Sequence, residues 1–345
     1  MAPGTRVWHV RELRLDPLSG AWVLIAPGRS ARPGFHVRRR RSRPWPVPRW
    51  SATCPFCPGN EQRTPPEIAR AGGSPPGPDW QVRVFPNRYP IVGVTAPEPD
   101  GLSSDATGLL RSRLVGGAHE VVVLSPHHDA ALASLSSREM ATALRVLQER
   151  MRSHLAAGRR YVQVFVNHDP AAGSSLDHPH AQVVALDAVP PVLEREASAL
   201  SGDGCVLCRA VRAQCEPAAP RAVLSGRVAA WCPFWASAPY ELLVAPRVHH
   251  ARFEDAGDHG TDLAESLGSL LRGLDGAAGD PAYNLVVHSA PAAAVDFHWH
   301  LHVRPRQSEP GGFEFGTGIA VVELSPEDAA TALRQTVERA DPSSV

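Results

Sequence analysis

Ala172-Gly173-Ser174-Ser175-Leu176-Asp177-His178-Pro179-His180-Ala181-Gln182 is the stretch on which the reading of this chain turns. It lies between two apolar runs, residues 161–166 and 183–186, and both read as short strands. If His178 to Gln182 opens the second strand, side chains alternate, and His178, His180 and Gln182 share one face. Two imidazoles and an amide then stand in a row, just after a Gly-Ser-Ser turn whose backbone N–H groups can face a phosphate. A neutral imidazole is a nucleophile at neutral pH, and a glutamine is a neutral donor to a phosphoryl oxygen. The bland alternative is a surface loop with a chance pair, since the chain carries 16 His. His-x-His alone decides nothing.

Working outward, the surroundings of this stretch repeat. Residues 119–128, from His119-Glu120 to Ser125-Pro126-His127-His128, are answered by residues 240–250, from Tyr240-Glu241 to His249-His250. A helix is expected after each. The run ending at Asn167 is answered by the run ending at His288, and His178-Pro179-His180-Ala181-Gln182 by His298-Trp299-His300-Leu301-His302. Each copy follows its own Cys-x-x-Cys, Cys54/Cys57 and Cys205/Cys208. Four matches in one order divide the chain into two related halves, 1–190 and 191–345.

The duplication also sorts the metal ligands. Each half offers two thiolates, a His following a Pro, and the first His of His-x-His: Cys54, Cys57, His128 and His178, then Cys205, Cys208, His249 and His298. Two sulfurs and two nitrogens suit a closed tetrahedral zinc site with no open position for water. Such a zinc would pin the His-x-His strand against the Cys loop and so position His180. Reduced Cys pairs packed in turns are the alternative. Cys215 and Cys232 fit neither pair and read as small buried hydrophobes.

Composition bounds the function. At 345 residues the chain is long enough for two cores, and 35 basic against 35 acidic residues leave no net charge. Neither nucleic acid nor a membrane surface is demanded as a partner. Every basic residue is Arg, so Schiff-base and P-loop lysine chemistry are excluded. The N-terminus lacks the apolar core of a signal peptide and no run reaches membrane-spanning length, so a cytoplasmic location is expected. A basic, proline-rich segment spans Arg38 to Pro48 and reads as exposed linker. Residues 80–85 and 120–124 read as strands. Residues 136–157 form the clearest helix, with Ser136 and Glu139 at capping-box spacing. A second helix is expected over 261–274, ended by glycines.

With these residues in place, the chain resembles the galactose-1-phosphate uridylyltransferases of the histidine-triad superfamily. The likeness runs from Leu13-Arg14-Leu15-Asp16-Pro17 to Ser325-Pro326-Glu327-Asp328. It rests on Cys54-Pro55-Phe56-Cys57-Pro58-Gly59-Asn60, Val84-Phe85-Pro86-Asn87, Ser125-Pro126-His127-His128, the opening stretch, and Gly311-Gly312-Phe313-Glu314-Phe315-Gly316-Thr317-Gly318. The resemblance implies an α+β fold of two histidine-triad-like domains in tandem, mainly antiparallel sheets flanked by helices, and a homodimer. It makes His180 the nucleophile that becomes uridylylated and Gln182 the donor to the transferred phosphoryl group. Arg29, Arg32, Asn87, Asn167, Gly173, Ser174 and Ser175 match contacts to the nucleotide-sugar. Some members build their second metal site from a Glu and three His, here Glu196, His288, His300 and His302. Nucleotide-sugar phosphorylases instead carry the second Cys pair. The Cys-containing set is preferred here because it mirrors the first half.

The implied chemistry is double displacement: His180 takes the uridylyl group of UDP-glucose, and galactose 1-phosphate takes it from His180. Gln182 and the backbone of 173–175 would stabilise charge on the non-bridging oxygens, and a backbone carbonyl would fix the His180 tautomer. Three rivals stand beside this reading. One is a phosphorylase using inorganic phosphate, for instance on ADP-glucose. The others are a zinc-knuckle nucleic-acid binder, disfavoured by zero net charge, and a silent nucleotide-binding module, disfavoured by the intact His180 and Gln182.

Overall fold

The computed structural model describes residues 11–27, 47–75, 77–93, 102–104, 107–113, 115–201, 204–257, 259–294 and 296–340. Arg29, Arg32 and most of the basic segment from Arg38 lie outside them.

A hairpin of β1 (Glu12–Leu15) and β2 (Trp22–Ile25) turns at Asp16, whose carboxylate accepts from Leu18 N–H at 2.9 Å. The first half continues with β3 (Ala69–Ala71), β4 (Val82–Pro86), a separate hairpin of β5 (Leu102–Ser104) and β6 (Arg111–Arg113), and β7 (Gly117–Val123). Helix α1 (Ser137–Ala156), β8 (Tyr161–His168) and β9 (His180–Leu186) follow. Helices α2 (Pro191–Leu200) and α3 (Val206–Gln214) lead to β10 (Ala222–Ser225), β11 (Val228–Trp231) and β12 (Leu242–Pro246). The chain ends with α4 (His259–Ala278), β13 (Tyr283–His288), β14 (His300–Pro305), α5 (Gly312–Thr317), β15 (Ala320–Val322) and α6 (Pro326–Ala340).

Ten strands form one antiparallel sheet in the order β3-β4-β7-β9-β8-β13-β14-β12-β11-β10. The order is palindromic about the β8–β13 pair, so the internal repeat is written into the sheet as two five-strand halves joined at their last-but-one strands. β15 pairs in parallel with β2, and Arg14 of β1 reaches Glu327 of α6 at 3.2 Å. The N-terminal hairpin is thereby seated on the second half.

Register refines the repeat. Opposite His180 on β7 stands Val123, and opposite Gln182 stands Val121; opposite His302 on β12 stands Leu243. Counting along both strands places His119 where the second half has Glu241, one position off the alignment that pairs Glu120 with Glu241. The link from strand to metal-ligating His is one residue longer in the first half, 123 to 128 against 245 to 249, which sequence matching conceals.

Alternation sorts the two faces. Ala181, Val183 and Ala185 of β9, and Trp299 just before β14 with Leu301 and Val303 of β14, point to a core covered by α1, α4 and α6. His180 and Gln182, and His300 and His302, point to the opposite face. Over the first half that face is covered by the Cys54–Cys57 loop with Phe56, Trp80 and Phe85, and over the second by α2 and α3. Fully burying a Leu or Val side chain contributes roughly 1.5–3 kcal/mol, so the helical face carries most of the apolar stabilisation and the other face is left for chemistry.

Helix α1 starts as expected: Ser136 Oγ accepts from Glu139 N–H at 3.3 Å, and the Glu139 carboxylate accepts from Ser136 N–H at 2.9 Å. The glycines of α4 do not end it. The helix runs through Gly273 and Gly276 to Ala278 because α6 lies against them: a Cβ on Gly273 would sit 2.4 Å from Val337 Cγ2. These glycines permit close helix packing, and the stop is Gly279 at φ +76°.

Candidate functional site

Four side chains meet beneath the Cys loop: Cys54, Cys57, His128 and His178, each offering a ligand atom within 4.8 Å of the others. His178 Nδ1 lies 3.8 Å from Cys54 Sγ and 3.6 Å from Cys57 Sγ, and His128 Nδ1 lies 3.6 Å from Cys57 Sγ. Zinc with ordinary bond lengths and tetrahedral angles separates S and N ligands by about 3.6 Å. The other His178 nitrogen, Nε2, donates to Ser125 O at 2.7 Å, the second contact that fixes a ligating imidazole. Burial pushes the Cys54 thiol up to about 11, so a bound dication is what would favour the thiolate. These four residues fit zinc.

The second half repeats the arrangement. His298 Nδ1 lies 3.7 Å from Cys205 Sγ and 3.4 Å from Cys208 Sγ, His249 Nδ1 lies 3.2 Å from Cys208 Sγ, and His298 Nε2 donates to Pro246 O at 2.9 Å. This cluster is more open, with the His249 side chain 37% exposed. The sequence reading sets this cluster against Glu196, His288, His300 and His302; the structure forms both, so the two sets do not compete. Glu196, on α2, meets the three imidazoles from β13 and β14 in a third cluster within the same 4.8 Å limit. Glu196 Oε2 accepts from His288 Nδ1 at 2.8 Å, while His300 Nε2 and His302 Nε2 are buried with no hydrogen-bond partner. Burial opposes charge on Glu196, but the His288 hydrogen bond and the neighbouring imidazoles outweigh it and hold the carboxyl down to about 2. Burial drives His300 down to about 3. An anionic carboxylate beside orphaned imidazole nitrogens fits a divalent cation.

His180 sits one residue past the first cluster's His178–Pro179 and is 6% exposed. Its Nδ1–H donates to His178 O at 2.9 Å, which leaves the lone pair on Nε2. Burial lowers its pKa against the help of that carbonyl, so the ring is neutral. Phe56, from between the two cysteines, meets it edge-on with ring centroids 5.3 Å apart. The Cys loop thus props the imidazole directly. His300 has the same carbonyl contact at 2.9 Å to His298 O, but its Nε2 turns to Glu196 at 3.7 Å. The two equivalent histidines have different surroundings.

A small cavity of about 10 Å³, room for roughly one water, lies beside the first imidazole, lined by Val166, Asn167, Ser174, Leu176, His178 and His180. The turn before it behaves differently from the expected phosphate cradle. Gly173 N–H donates to Pro170 O at 3.0 Å and Ser174 N–H to Asp169 O at 3.2 Å, so the turn consumes two of its own donors. Ser174 Oγ donates to Leu176 O at 2.7 Å. Of the three, Ser175 alone keeps a backbone N–H that bonds no described residue. Asp169 holds φ 79°, costly for a residue with a Cβ, and the turn closes on its carbonyl.

Asn167, the last residue but one of β8, directs its Nδ2 at Gly173 O, 3.3 Å away. Its Oδ1 accepts from Asn284 Nδ2 at 2.9 Å, and Asn284 also donates to Ala172 O at 2.8 Å. Asn284 comes from the second half across the β8–β13 pair, and sequence reasoning missed it; only pairing shows that it holds Asn167, which lines the cavity. Asn87 follows β4 and lies 3.1 Å from His119 Nε2. His119, read only as the start of a repeat, contacts Gln182 Oε1 at 2.8 Å.

The arrangement offers an oriented imidazole with its lone pair on Nε2, a carboxamide two residues on, and a small cavity between the imidazole and the β8 turn. Comparison with known proteins follows the same lines. The family described as galactose-1-phosphate uridyl transferase, N-terminal domain, matches residues 5–190. An ADP-glucose phosphorylase of Arabidopsis thaliana is 30% identical over 94% of this chain and 92% of its own length. A galactose-1-phosphate uridylyltransferase of Haemophilus influenzae is 30% identical over 94% of each. Among solved structures, an Arabidopsis thaliana ADP-glucose phosphorylase with bound ADP-glucose aligns with TM-score 0.75 at 28% identity, covering 94% of this chain and 99% of that one. A uridylyltransferase aligns with TM-score 0.71 at 28% identity, covering 96% and 100%.

Proposed function

The chain belongs to the galactose-1-phosphate uridylyltransferase family, and from that premise we propose that it moves a nucleotidyl group from a nucleotide-sugar to a phosphate-bearing acceptor by way of His180. The observation that carries the reading is the His180 Nδ1–H donated to His178 O at 2.9 Å, which leaves the lone pair on Nε2. In the first step Nε2 attacks the α-phosphorus. The P–N bond forms as the P–O bond to the sugar phosphate breaks, and the sugar phosphate leaves as an anion that needs no proton. In the second step an acceptor phosphate oxygen attacks the same phosphorus, and Nε2 leaves. One site holds the two anions in turn, so they never approach phosphorus together.

With UDP-glucose as donor and galactose 1-phosphate as acceptor, the protein is a hexose-1-phosphate uridylyltransferase. A second reading has inorganic phosphate as acceptor and ADP-glucose as donor; the full-length likeness to an ADP-glucose phosphorylase favours it. Around this chemistry the two Cys2His2 clusters would hold zinc and the Glu196 cluster a further divalent ion. The first zinc would fix His178, and with it the carbonyl that orients His180.

Labelled UDP-glucose and ADP-glucose, each offered alone, with galactose 1-phosphate and with phosphate, test the proposal. The expected result is an acid-labile, alkali-stable adduct on His180 from one donor alone, and parallel double-reciprocal lines once an acceptor is added. Catalysed exchange without an adduct and with sequential kinetics would overturn it. The acceptor that discharges the adduct decides between the two readings.

A further inference from the structure

We propose that His119 is a positioning residue that sets which way round the Gln182 carboxamide stands, so that its NH2 and not its carbonyl faces the transferred phosphoryl group; the proposal rests on the function given above. The tautomer of His119 decides the matter. Ile91 N–H donates to His119 Nδ1 at 3.2 Å, and a backbone N–H cannot exchange roles as a carboxamide can. Nδ1 is therefore the acceptor and the ring proton lies on Nε2. The atom 2.8 Å from Nε2 must then accept, which makes it Gln182 Oε1. Asn87, whose Oδ1 accepts from Tyr89 N–H at 2.8 Å, turns its NH2 toward the same nitrogen at 3.1 Å. Two donors make no hydrogen bond there, and this one opposed contact is outweighed by Ile91 N–H on one side of the ring and Gln182 Oε1 on the other. With Oε1 held, the Gln182 NH2 is turned outward, and it meets no acceptor among the described residues.

His119 is 6% exposed, and burial lowers its pKa against the effect of the Gln182 hydrogen bond, which keeps the ring neutral and the assignment single. A protonated ring would set Nδ1–H against Ile91 N–H. The other half supplies an independent parallel. By strand register Glu241 occupies the place of His119, and His302 that of Gln182; there Glu241 Oε1 lies 3.7 Å from His302 Nδ1. In both halves this strand position holds the residue two beyond the second His of His-x-His. In the first half the holder is a donor, so the held residue presents a donor outward.

Three variants, each in the Gln182 and the Gln182→Ala background, separate positioning from packing. His119→Leu removes the donor, His119→Gln restores an N–H at similar reach, and His119→Glu presents only acceptors and would hold the amide the wrong way round. In the Gln182 background, adduct formation should fall roughly 10- to 100-fold for His119→Leu. His119→Gln should recover most of that loss, and His119→Glu should fall below His119→Leu, with KM changing less than kcat throughout. In the Gln182→Ala background the three should be alike. Equal losses in both backgrounds, or His119→Glu as active as His119→Gln, would overturn the proposal. If His119→Leu fails to fold, the Gln and Glu pair still decides. Imidazole nitrogen shifts of the unmodified protein give a reading independent of activity. A proton on Nε2 of His119 is expected, and one on Nδ1 overturns the assignment. An absent adduct in the unmodified protein would count against the function alone.

Discussion

At the residue scale, one backbone contact made twice has different consequences. His180 and His300 each give Nδ1–H to the carbonyl two residues back, at 2.9 Å, and each is buried. What separates them is the far side of the ring. His180 lines a small cavity beside Ser174 and Leu176, whereas His300 Nε2 is walled in with Glu196, His288 and His302. An imidazole whose lone pair meets a carboxylate-bearing, metal-fitting cluster cannot approach a substrate phosphorus. His180→Ala should therefore abolish both adduct and turnover, at least 10³-fold on the order of magnitude for removing a nucleophile. His300→Ala should still take up label from nucleotide-sugar. Label retained by the first variant and lost from the second would reverse the roles.

At the scale of elements, α1 docks on β7 through a buried ionic contact as well as through its apolar stripe. Arg150 pairs with Glu120 at 2.7 Å, and His154 Nε2 meets the same carboxylate at 2.7 Å. Burial raises the Glu120 pKa, but the bonds from His154 and Arg150 outweigh it and the net direction is down. A carboxylate depressed in the folded state stabilises above its unfolded pKa, about 4.3, and that share is lost as pH falls through the lower folded value. Glu120→Gln should cost roughly 1–3 kcal/mol at pH 7, because the half-buried Arg150 and the buried His154 lose their charged acceptor. The gap between variant and parent should shrink below about pH 4. Urea unfolding at both pH values reads this directly, and a gap independent of pH would show that Glu120 acts by packing alone.

At the scale of the molecule, the ten-stranded sheet places three candidate metal clusters on the face opposite α1, α4 and α6, the second and third joined through His298 and His300 on either side of Trp299. Metal at the Cys clusters would couple to folding, since burial raises the thiols and a dication lowers them. Protein purified without chelator should contain two zinc ions and a third divalent ion per chain. Cys54→Ser should lose one zinc and melt at lower temperature with the other metals kept, Cys205→Ser should lose the second zinc, and Glu196→Gln the third metal. Metal analysis together with thermal melts checks each loss separately. No tightly bound metal in the parent protein would dismiss the whole arrangement. Among the described residues, no helix is long and apolar enough to cross a membrane.

The sequence by itself determined the parts whose cause is local or repeated. Two Cys-x-x-Cys pairs, two His-x-His rows and the two proline-preceded histidines named both Cys2His2 clusters, and the Ser136–Glu139 capping box started α1. Period-two alternation put His180 and Gln182 on one face, because that follows from strand geometry whatever the partner strand. Only the tertiary structure decided the rest. Strand register, with a link one residue longer in one half, matched His119 with Glu241 and brought His119 to Gln182. The β8–β13 pair carried Asn284 to Asn167 across a sequence separation of 117 residues. Close approach of α6 let α4 run on through Gly273 and Gly276. The turn at Gly173 and Ser174 spent its N–H groups on itself, a choice set by how Asp169 leaves β8. Short motifs hold their chemistry in the order of residues, but a hydrogen bond across a sheet depends on which strands lie side by side, and that the linear order does not contain.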